Sequence, residues 1–92
     1  MRWTLFASLA EAAGERTSEV HLDDDPTLRE AFDALLATHP ALEDRVLDAE
    51  GDLREYIHLF HNDEDPFQTA DGWATPVEDT DDLVLFPPMS GG

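Results

Sequence analysis

Cysteine and lysine are both absent from this 92-residue chain. Without cysteine there are no disulfides, thiolate metal sites or cysteine nucleophiles. No run of about 18 apolar residues is present, so we expect no membrane-spanning segment. The amino-terminal residues also lack the apolar stretch and cleavage site of a signal peptide. We therefore expect one cytoplasmic domain with a single modest core.

The charge is strongly one-sided, with 22 acidic residues against five basic ones and a net charge of −17. Seven acids lie in residues 1–31, seven in 32–62 and eight in 63–92. This even distribution favours adaptation to concentrated salt, where the screening length falls to about 3 Å. The alternative is a nucleic-acid mimic or a binder of a basic partner, which would concentrate charge on one face. We do not expect nucleic-acid binding, because phosphate contacts need lysine and arginine.

The first third of the chain predicts two strands separated by a short helix. Residues 2–6 are rich in β-favouring and aromatic types. Ser8 and Glu11 have the spacing of a helix capping box, and Gly14 is a typical residue for the helix end. Thr17–Leu22 predicts the second strand.

The central segment predicts the main helix of the domain. Thr27 and Glu30 form a second capping-box pattern. The helix should end near His39, because Pro40 disfavours helical geometry in the residue before it, and residues 40–47 could add a short turn. Within this helix, five apolar residues follow the spacing of one buried stripe: Leu28, Ala31, Phe32, Leu35 and Leu36.

The remaining part predicts two more strands, Tyr56–Phe60 and Leu83–Phe86, around an acidic segment at 62–82. Phe67 and Trp73 are candidate anchors for that segment, which could include a short edge strand. Strand, strand, long helix and two strands predict an α+β domain in which a mixed sheet packs on one main helix.

Three weaker signals favour structural interpretations. His58 and His61 are three residues apart, so on a strand they would point to opposite faces and not form a metal pair. The acidic runs Asp48–Asp52 and Asp63–Asp65 lack EF-hand spacing, and we predict no metal site. Trp3 could lie in the core or on a partner-facing surface, and the core is favoured.

The carboxyl terminus carries the chemically informative motif. Two prolines stop β-pairing and stiffen the chain, and two glycines present the terminal carboxylate with little steric hindrance. Six residues after Phe86 span at most about 20 Å. We predict a domain of residues 1–86 and an extended tail of residues 87–92: Pro87, Pro88, Met89, Ser90, Gly91 and Gly92.

A free carboxylate does not acylate amines or sulfide at neutral pH unless one of its oxygens becomes part of a leaving group. The chain has no glycine-rich phosphate-binding loop with lysine and few cations for a phosphoryl transition state. A partner enzyme would therefore have to supply the activation.

The stretch Phe86–Gly92 resembles the terminal motif of the MoaD/ThiS branch of ubiquitin-like proteins. The acid-rich, lysine-free composition narrows the resemblance to the small archaeal modifier proteins of halophilic archaea. Further similarity lies in Thr27–Leu36, which resembles the main helix of the family, and in Asn62, which resembles its polar turn. Residues 63–77 look longer than usual for the family.

The resemblance implies a β-grasp fold and a protein that is a substrate and not an enzyme. An E1-like enzyme would adenylate Gly92 with ATP and Mg²⁺ that it binds itself, and would hold the segment Phe86–Gly91. The adenylate would then be attacked by a lysine of a target protein, or sulfurated to a thiocarboxylate. The implied partners are the E1-like enzyme, target proteins and the large subunit of molybdopterin synthase. We expect a monomer with no bound cofactor.

Three functions remain open at this point. The first is a covalent protein modifier, the second a sulfur carrier for molybdopterin synthesis or tRNA thiolation, and the third a non-covalent acidic binding module. Deleting Gly91 and Gly92 would distinguish the third function from the others. An isolated terminal Gly-Gly could also be a disordered end or a cloning remnant.

Overall fold

The computed structural model describes residues 1–87 and shows a four-stranded mixed sheet in the order β2-β1-β4-β3. The central strands β1 and β4 are parallel, and each pairs with an antiparallel outer strand. Apolar residues of the sheet and of the main helix form one core, which confirms the α+β class. The strands are Arg2–Leu5 (β1), Thr17–Glu19 (β2), His58–His61 (β3) and Asp82–Phe86 (β4).

Four α-helices and two 3₁₀ turns connect these strands. Within residues 1–87, no helix has the length and apolar character needed to cross a membrane. The helices are Ser8–Ala13 (α1), Leu28–Thr38 (α2), Glu43–Val46 (α3) and Pro66–Thr69 (α4), and the 3₁₀ turns are Pro40–Leu42 and Gly72–Ala74.

Helix α2 has the features that its sequence predicts. Its capping box is present, because Thr27 Oγ1 accepts from the Glu30 backbone N–H and Glu30 Oε1 accepts from the Thr27 N–H. The helix ends at Thr38, with His39 as its C-cap before Pro40. Its buried residues are Leu28, Ala31, Phe32 and Leu35.

Trp3 lies in the core between the sheet and α2, as predicted. Its side chain is fully buried. The indole Nε1–H donates to the Ala31 carbonyl oxygen at 3.2 Å, and the ring meets Phe32 edge-on, with 6.1 Å between the ring centroids. Trp3 thus ties the central strand β1 to the main helix by packing and by a hydrogen bond.

The predicted capping box of Ser8 and Glu11 is wrong. Helix α1 begins at Ser8 itself, its N-cap is Ala7 with φ 50°, and no side chain caps it. The chain turns at Ala7 because Phe6 lies on the open side of the sheet whereas Leu9 is buried in the core. Gly14 does end this helix, with φ 82°.

Strands β2 and β3 have other bounds than predicted. β2 ends at Glu19 and not at Leu22, because Glu19 pairs with the first residue of β1. β3 begins at His58 and not at Tyr56, because the Ile57 N–H donates to the Arg54 carbonyl in a turn that precedes the sheet.

The acidic segment 62–82 contains α4 and a 3₁₀ turn and no edge strand of the sheet. Asp65 caps α4 by accepting a hydrogen bond from the Phe67 N–H at 2.9 Å, and Pro66 occupies the first helical position, which suits proline. The predicted anchors are confirmed: Trp73 packs on Phe32 and Phe67 with centroid distances of 5.0 and 5.1 Å.

The amino terminus is fixed at the sheet. Met1 is buried, and its ammonium donates to the Val20 carbonyl at 2.9 Å and to Asp79 at 3.4 Å. A hydrogen bond from His21, and then the Met1 ammonium, lower the pKa of the exposed Asp79 carboxyl. These contacts hold the start of β1 beside the end of β2.

Candidate functional site

Strand β4 fixes the position from which the predicted tail begins. It lies between β1 and β3, so both of its edges are paired along its length. Leu85 pairs with Leu5 of β1, and Phe86 pairs with His58 of β3. Phe86 and Pro87 are the two predicted site residues within the described part of the chain. The others lie outside the described residues: Pro88, Met89, Ser90, Gly91 and Gly92.

The side chains of β4 alternate between the two faces of the sheet, as β geometry requires. Leu83 and Leu85 are fully buried toward the helices. Val84 and Phe86 are half-buried and point to the opposite, open face. The strand therefore anchors itself with one set of side chains and exposes the other set on the open face of the sheet.

An exposed apolar surface, here called the aromatic face, surrounds the end of β4. Phe86 stacks on Phe6 with 4.6 Å between ring centroids and an interplanar angle of 12°. Phe60 meets Phe86 edge-on at 5.6 Å. Phe6 is 40% exposed, and Asp63 lies at the rim. The aromatic face consists of Phe6, Phe60, Val84 and Phe86.

Sequence reasoning identified Phe86 but missed Phe6 and Phe60 as part of this surface. Each of them follows a buried leucine, Leu5 or Leu59, and strand alternation places the next side chain on the other face. An aromatic residue at an outward strand position was therefore the available signal. Their meeting at Phe86 required the sheet order, which the sequence does not contain.

The opposite end of β4 is held by the Asp81 carboxylate. His61 Nε2 lies 2.7 Å from Asp81 Oδ2, and the side chains of His61 and Asp81 are 18% and 11% exposed. Asn62 Nδ2–H and the Glu78 N–H also donate to Asp81, at 3.0 and 2.8 Å. Burial raises the pKa of Asp81, but these three hydrogen bonds together outweigh burial and lower the pKa from its ordinary value.

Replacing Asp81 with asparagine should lower the free energy of unfolding by about 1–3 kcal/mol, because buried donors lose their acceptor. The folded-state pKa lies below the unfolded value, so this stability is present above the unfolded pKa and is lost as the pH falls through the folded pKa. Asp81→Asn should therefore flatten the acid side of the stability profile, measured by urea unfolding against pH. Asp82→Asn, the same change at the exposed neighbour, is the control; an equal effect of both would contradict this role.

Among the candidate metal residues, His61 and the acidic loop at 48–52 make other contacts. His61 is engaged with Asp81, and His58 is exposed. Asp48, Glu50 and Asp52 come close together on an exposed loop. There Asp48 Oδ1 accepts from the backbone N–H groups of Glu50 and Asp52. This cluster is a loop-stabilising turn of the usual aspartate type.

A mixed sheet with parallel central strands, closed on one side by a single main helix, defines a ubiquitin-like β-grasp domain. The crystal structure of SAMP1 from Haloferax volcanii has this fold, with a TM-score of 0.88 and 46% identity, covering 100% of this chain and 98% of that one.

The chain belongs to the ThiS family, whose sequence pattern matches residues 3–92. It is 49% identical over 92 residues to Small archaeal modifier protein 1 of Haloferax volcanii, covering 100% of both chains. It is also similar to the sulfur carrier protein CysO of Mycobacterium tuberculosis, with 29% identity over 68 residues that cover 72% of each chain. The protein is thus a member of a family of ubiquitin-like modifiers and sulfur carriers.

Proposed function

We propose that the protein is a cytoplasmic ubiquitin-like modifier of a halophilic cell, activated at Gly92 by an E1-like enzyme. The end-to-end similarity to a protein named as a small archaeal modifier carries this proposal. The position of β4 supports it, because a strand paired on both sides holds Phe86, the residue before the predicted tail, at a fixed place. The aromatic face beside that place gives a partner enzyme an apolar surface to recognise.

The proposed chemistry takes place on the partner enzyme. A Gly92 carboxylate oxygen attacks the α-phosphorus of ATP, pyrophosphate leaves, and a glycyl adenylate forms with Mg²⁺ held by that enzyme. A lysine amine of a target protein then attacks the glycyl carbonyl, loses a proton and expels AMP, which leaves an isopeptide bond. This chain contributes the carboxylate, the tail that carries it and the docking surface.

The similarity to a named sulfur carrier supports a second use of the same adenylate. Attack by a sulfide donor in place of an amine would expel AMP and give a thiocarboxylate at Gly92. That product would deliver sulfur to molybdopterin synthase through its large subunit, or to tRNA thiolation. The two uses share activation and differ only in the nucleophile.

Adenylation is tested by pyrophosphate exchange with the purified E1-like enzymes of the host cell. We expect exchange that requires both ATP and this protein. Intact-mass measurement then separates an oxygen-to-sulfur exchange at the terminus from a mass ladder on target proteins. Failure of every host E1-like enzyme to form the adenylate would refute the proposal.

Conjugates isolated from cells need a search adapted to this sequence. Arg54 is the last site for trypsin, so the remnant on a target lysine would be residues 55–92 and not a short Gly-Gly stub. Because the chain has no lysine, we expect single marks on targets and no chains linked through its own lysines. Peptides with this protein linked to its own side chains would contradict that expectation.

Changing Phe6 to serine should weaken activation by the E1-like enzyme roughly tenfold, the effect of removing an apolar contact at an interface hot spot. Phe6 is 40% exposed and stacks directly on Phe86 at the base of the tail. The change should therefore raise the apparent KM of the protein in pyrophosphate exchange.

Phe67→Ser is the matched control, because Phe67 has a similar exposure of 42% and packs on Trp73, outside the aromatic face. Circular dichroism should show that both variants are folded. Equal loss of activation in the two variants would mean that the aromatic face is not the docking surface.

A further inference from the structure

A second surface at the base of the tail gathers basic and hydroxyl side chains. It is a cleft of about 340 Å³ with Pro87 on its wall. Two of the five arginines of the chain, Arg45 and Arg54, line it together with Ser8 and Tyr56. In a protein of net charge −17, such a local gathering of arginines is unexpected.

The two arginines of this cleft differ from Arg2 and Arg29 in their partners. Arg2 pairs with Glu19 and Arg29 with Asp33, each at 3.3 Å. Neither Arg45 nor Arg54 forms an ion pair with a carboxylate of residues 1–87, although acids outnumber arginines 22 to five. Their charges therefore remain available in the cleft.

The Arg54 side chain is held by a backbone carbonyl at one nitrogen and has no acceptor at another among the described residues. One of its terminal nitrogens, Nη2, donates to the Asp44 carbonyl oxygen at 3.1 Å. Its Nε–H is buried and has no hydrogen-bond partner in the described part of the chain. Because buried polar groups nearly always have a partner, this nitrogen indicates a missing acceptor.

The hydroxyl groups extend the set of donors. Ser8 makes no capping bond at its helix, and Tyr56 is 48% exposed. Guanidinium and hydroxyl groups together match the oxygens of a carboxylate or a tetrahedral oxyanion, to which arginine can donate with two parallel N–H groups. Asp44 also lines the cleft. Because its carboxylate repels anions, the cleft should select anions that accept directed hydrogen bonds over anions attracted by charge alone.

We propose that this cleft is an oxyanion-binding site in which Arg45 and Arg54 bind a carboxylate or a phosphate-like group. Two sources can supply that group. One is the terminal carboxylate of this chain, five residues beyond Pro87 and within about 17 Å of it along an extended chain. The other is a free anion such as phosphate or sulfate.

The site is tested by titrating the protein alone with sulfate, which replaces chloride at constant ionic strength, while the Nε–Hε signals of the arginines are followed by NMR. We expect saturable shifts at Arg45 and Arg54 and none at the ion-paired Arg2 and Arg29. The result does not depend on activation by an E1-like enzyme, so the proposed function and this site can fail separately.

Variants make the assignment specific. Arg45→Gln should weaken sulfate binding about tenfold through the loss of a charge-assisted hydrogen bond, whereas Arg16→Gln, the same charge change at an exposed arginine outside the cleft, should leave it unchanged. Arg54→Lys should also weaken sulfate binding, because lysine keeps the charge but lacks the two parallel N–H donors of the guanidinium group. Equal effects of Arg45→Gln and Arg16→Gln, or unsaturable shifts at all arginines, would overturn the proposal.

A protein with a carboxamide at Gly92 distinguishes the two sources. If the terminal carboxylate occupies the cleft, amidation should shift the Arg54 signal without sulfate and strengthen sulfate binding. If the cleft takes only free anions, the amide and the acid should bind sulfate equally, and the site stands with that ligand. An amide that binds no sulfate and leaves Arg45 and Arg54 unshifted would overturn the site itself.

Discussion

Removing Gly91 and Gly92 should abolish adenylation and conjugation while leaving the domain folded. The shortened chain still ends in a carboxylate, but that carboxylate is about 7 Å closer to the domain. Misplacing reacting atoms by as little as 1 Å can cost about 100-fold in rate. We therefore expect loss of pyrophosphate exchange by more than about 100-fold and no conjugates in cells.

The control for this deletion keeps the length of the chain and changes only the steric hindrance around the terminal carboxylate. Gly92→Ala adds one methyl group and should reduce activation far less than the deletion does. Circular dichroism and unfolding curves should be the same for all three proteins, because none of the described core residues is changed. If the deletion variant keeps its cellular activity, the protein is a non-covalent binding module and the proposed function is wrong.

Replacing Trp3 with alanine should cost about 3–5 kcal/mol of unfolding free energy, the usual range for a large buried aromatic. Trp3 is fully buried, packs edge-on against Phe32 and donates a hydrogen bond to α2. The variant loses all of these and leaves a cavity between β1 and α2. The measurement is urea unfolding in concentrated KCl, where charge repulsion is screened.

Trp73→Ala is the matched control for this change. Trp73 also packs on Phe32, but it is only half-buried and lies on a 3₁₀ turn outside the sheet. Its loss should cost clearly less than the loss of Trp3. Equal destabilisation by the two variants would contradict the central position that the structure gives to Trp3.

The main helix was the part of the fold most open to prediction. Its capping box, its apolar stripe and the proline that follows it all lie within one short segment, and each is a local signal. The structure confirms the three features at Thr27, Phe32 and Pro40. Local signals are reliable here because they agree with the burial that the whole domain requires.

For the segment between the last two strands, the prediction missed a local signal. Asp65 followed by Pro66 is a helix-start pattern, but the sequence interpretation used Pro66 only as a break and allowed a short edge strand. In the structure the short helix α4 and the Trp73 turn cover one side of Phe32. This packing depends on contacts distant in the chain, which composition does not specify.

The candidate site was predictable only where it is formed by residues that are consecutive in the sequence. The end of a strand at Phe86 can be read directly from the sequence, because Pro87 stops β-pairing. The meeting of Phe6 and Phe60 with Phe86 depends on sheet order. The convergence of Arg45 and Arg54 depends on how helix α3 and the loop that follows it fold. The division of the chain into a domain of residues 1–86 and a tail of residues 87–92 stays a prediction.

The fixed amino terminus limits how the protein can be labelled for these experiments. The Met1 ammonium is buried and donates to Val20 and Asp79, so a fusion at that end must open this contact. A fusion at the other end would block the carboxylate of Gly92. An epitope is better inserted in the exposed loop around Gly51, where a Cβ added at the glycine would meet no atom within 4 Å. With no lysine and its single amine engaged, the folded protein should also react slowly with amine-directed dyes and crosslinkers.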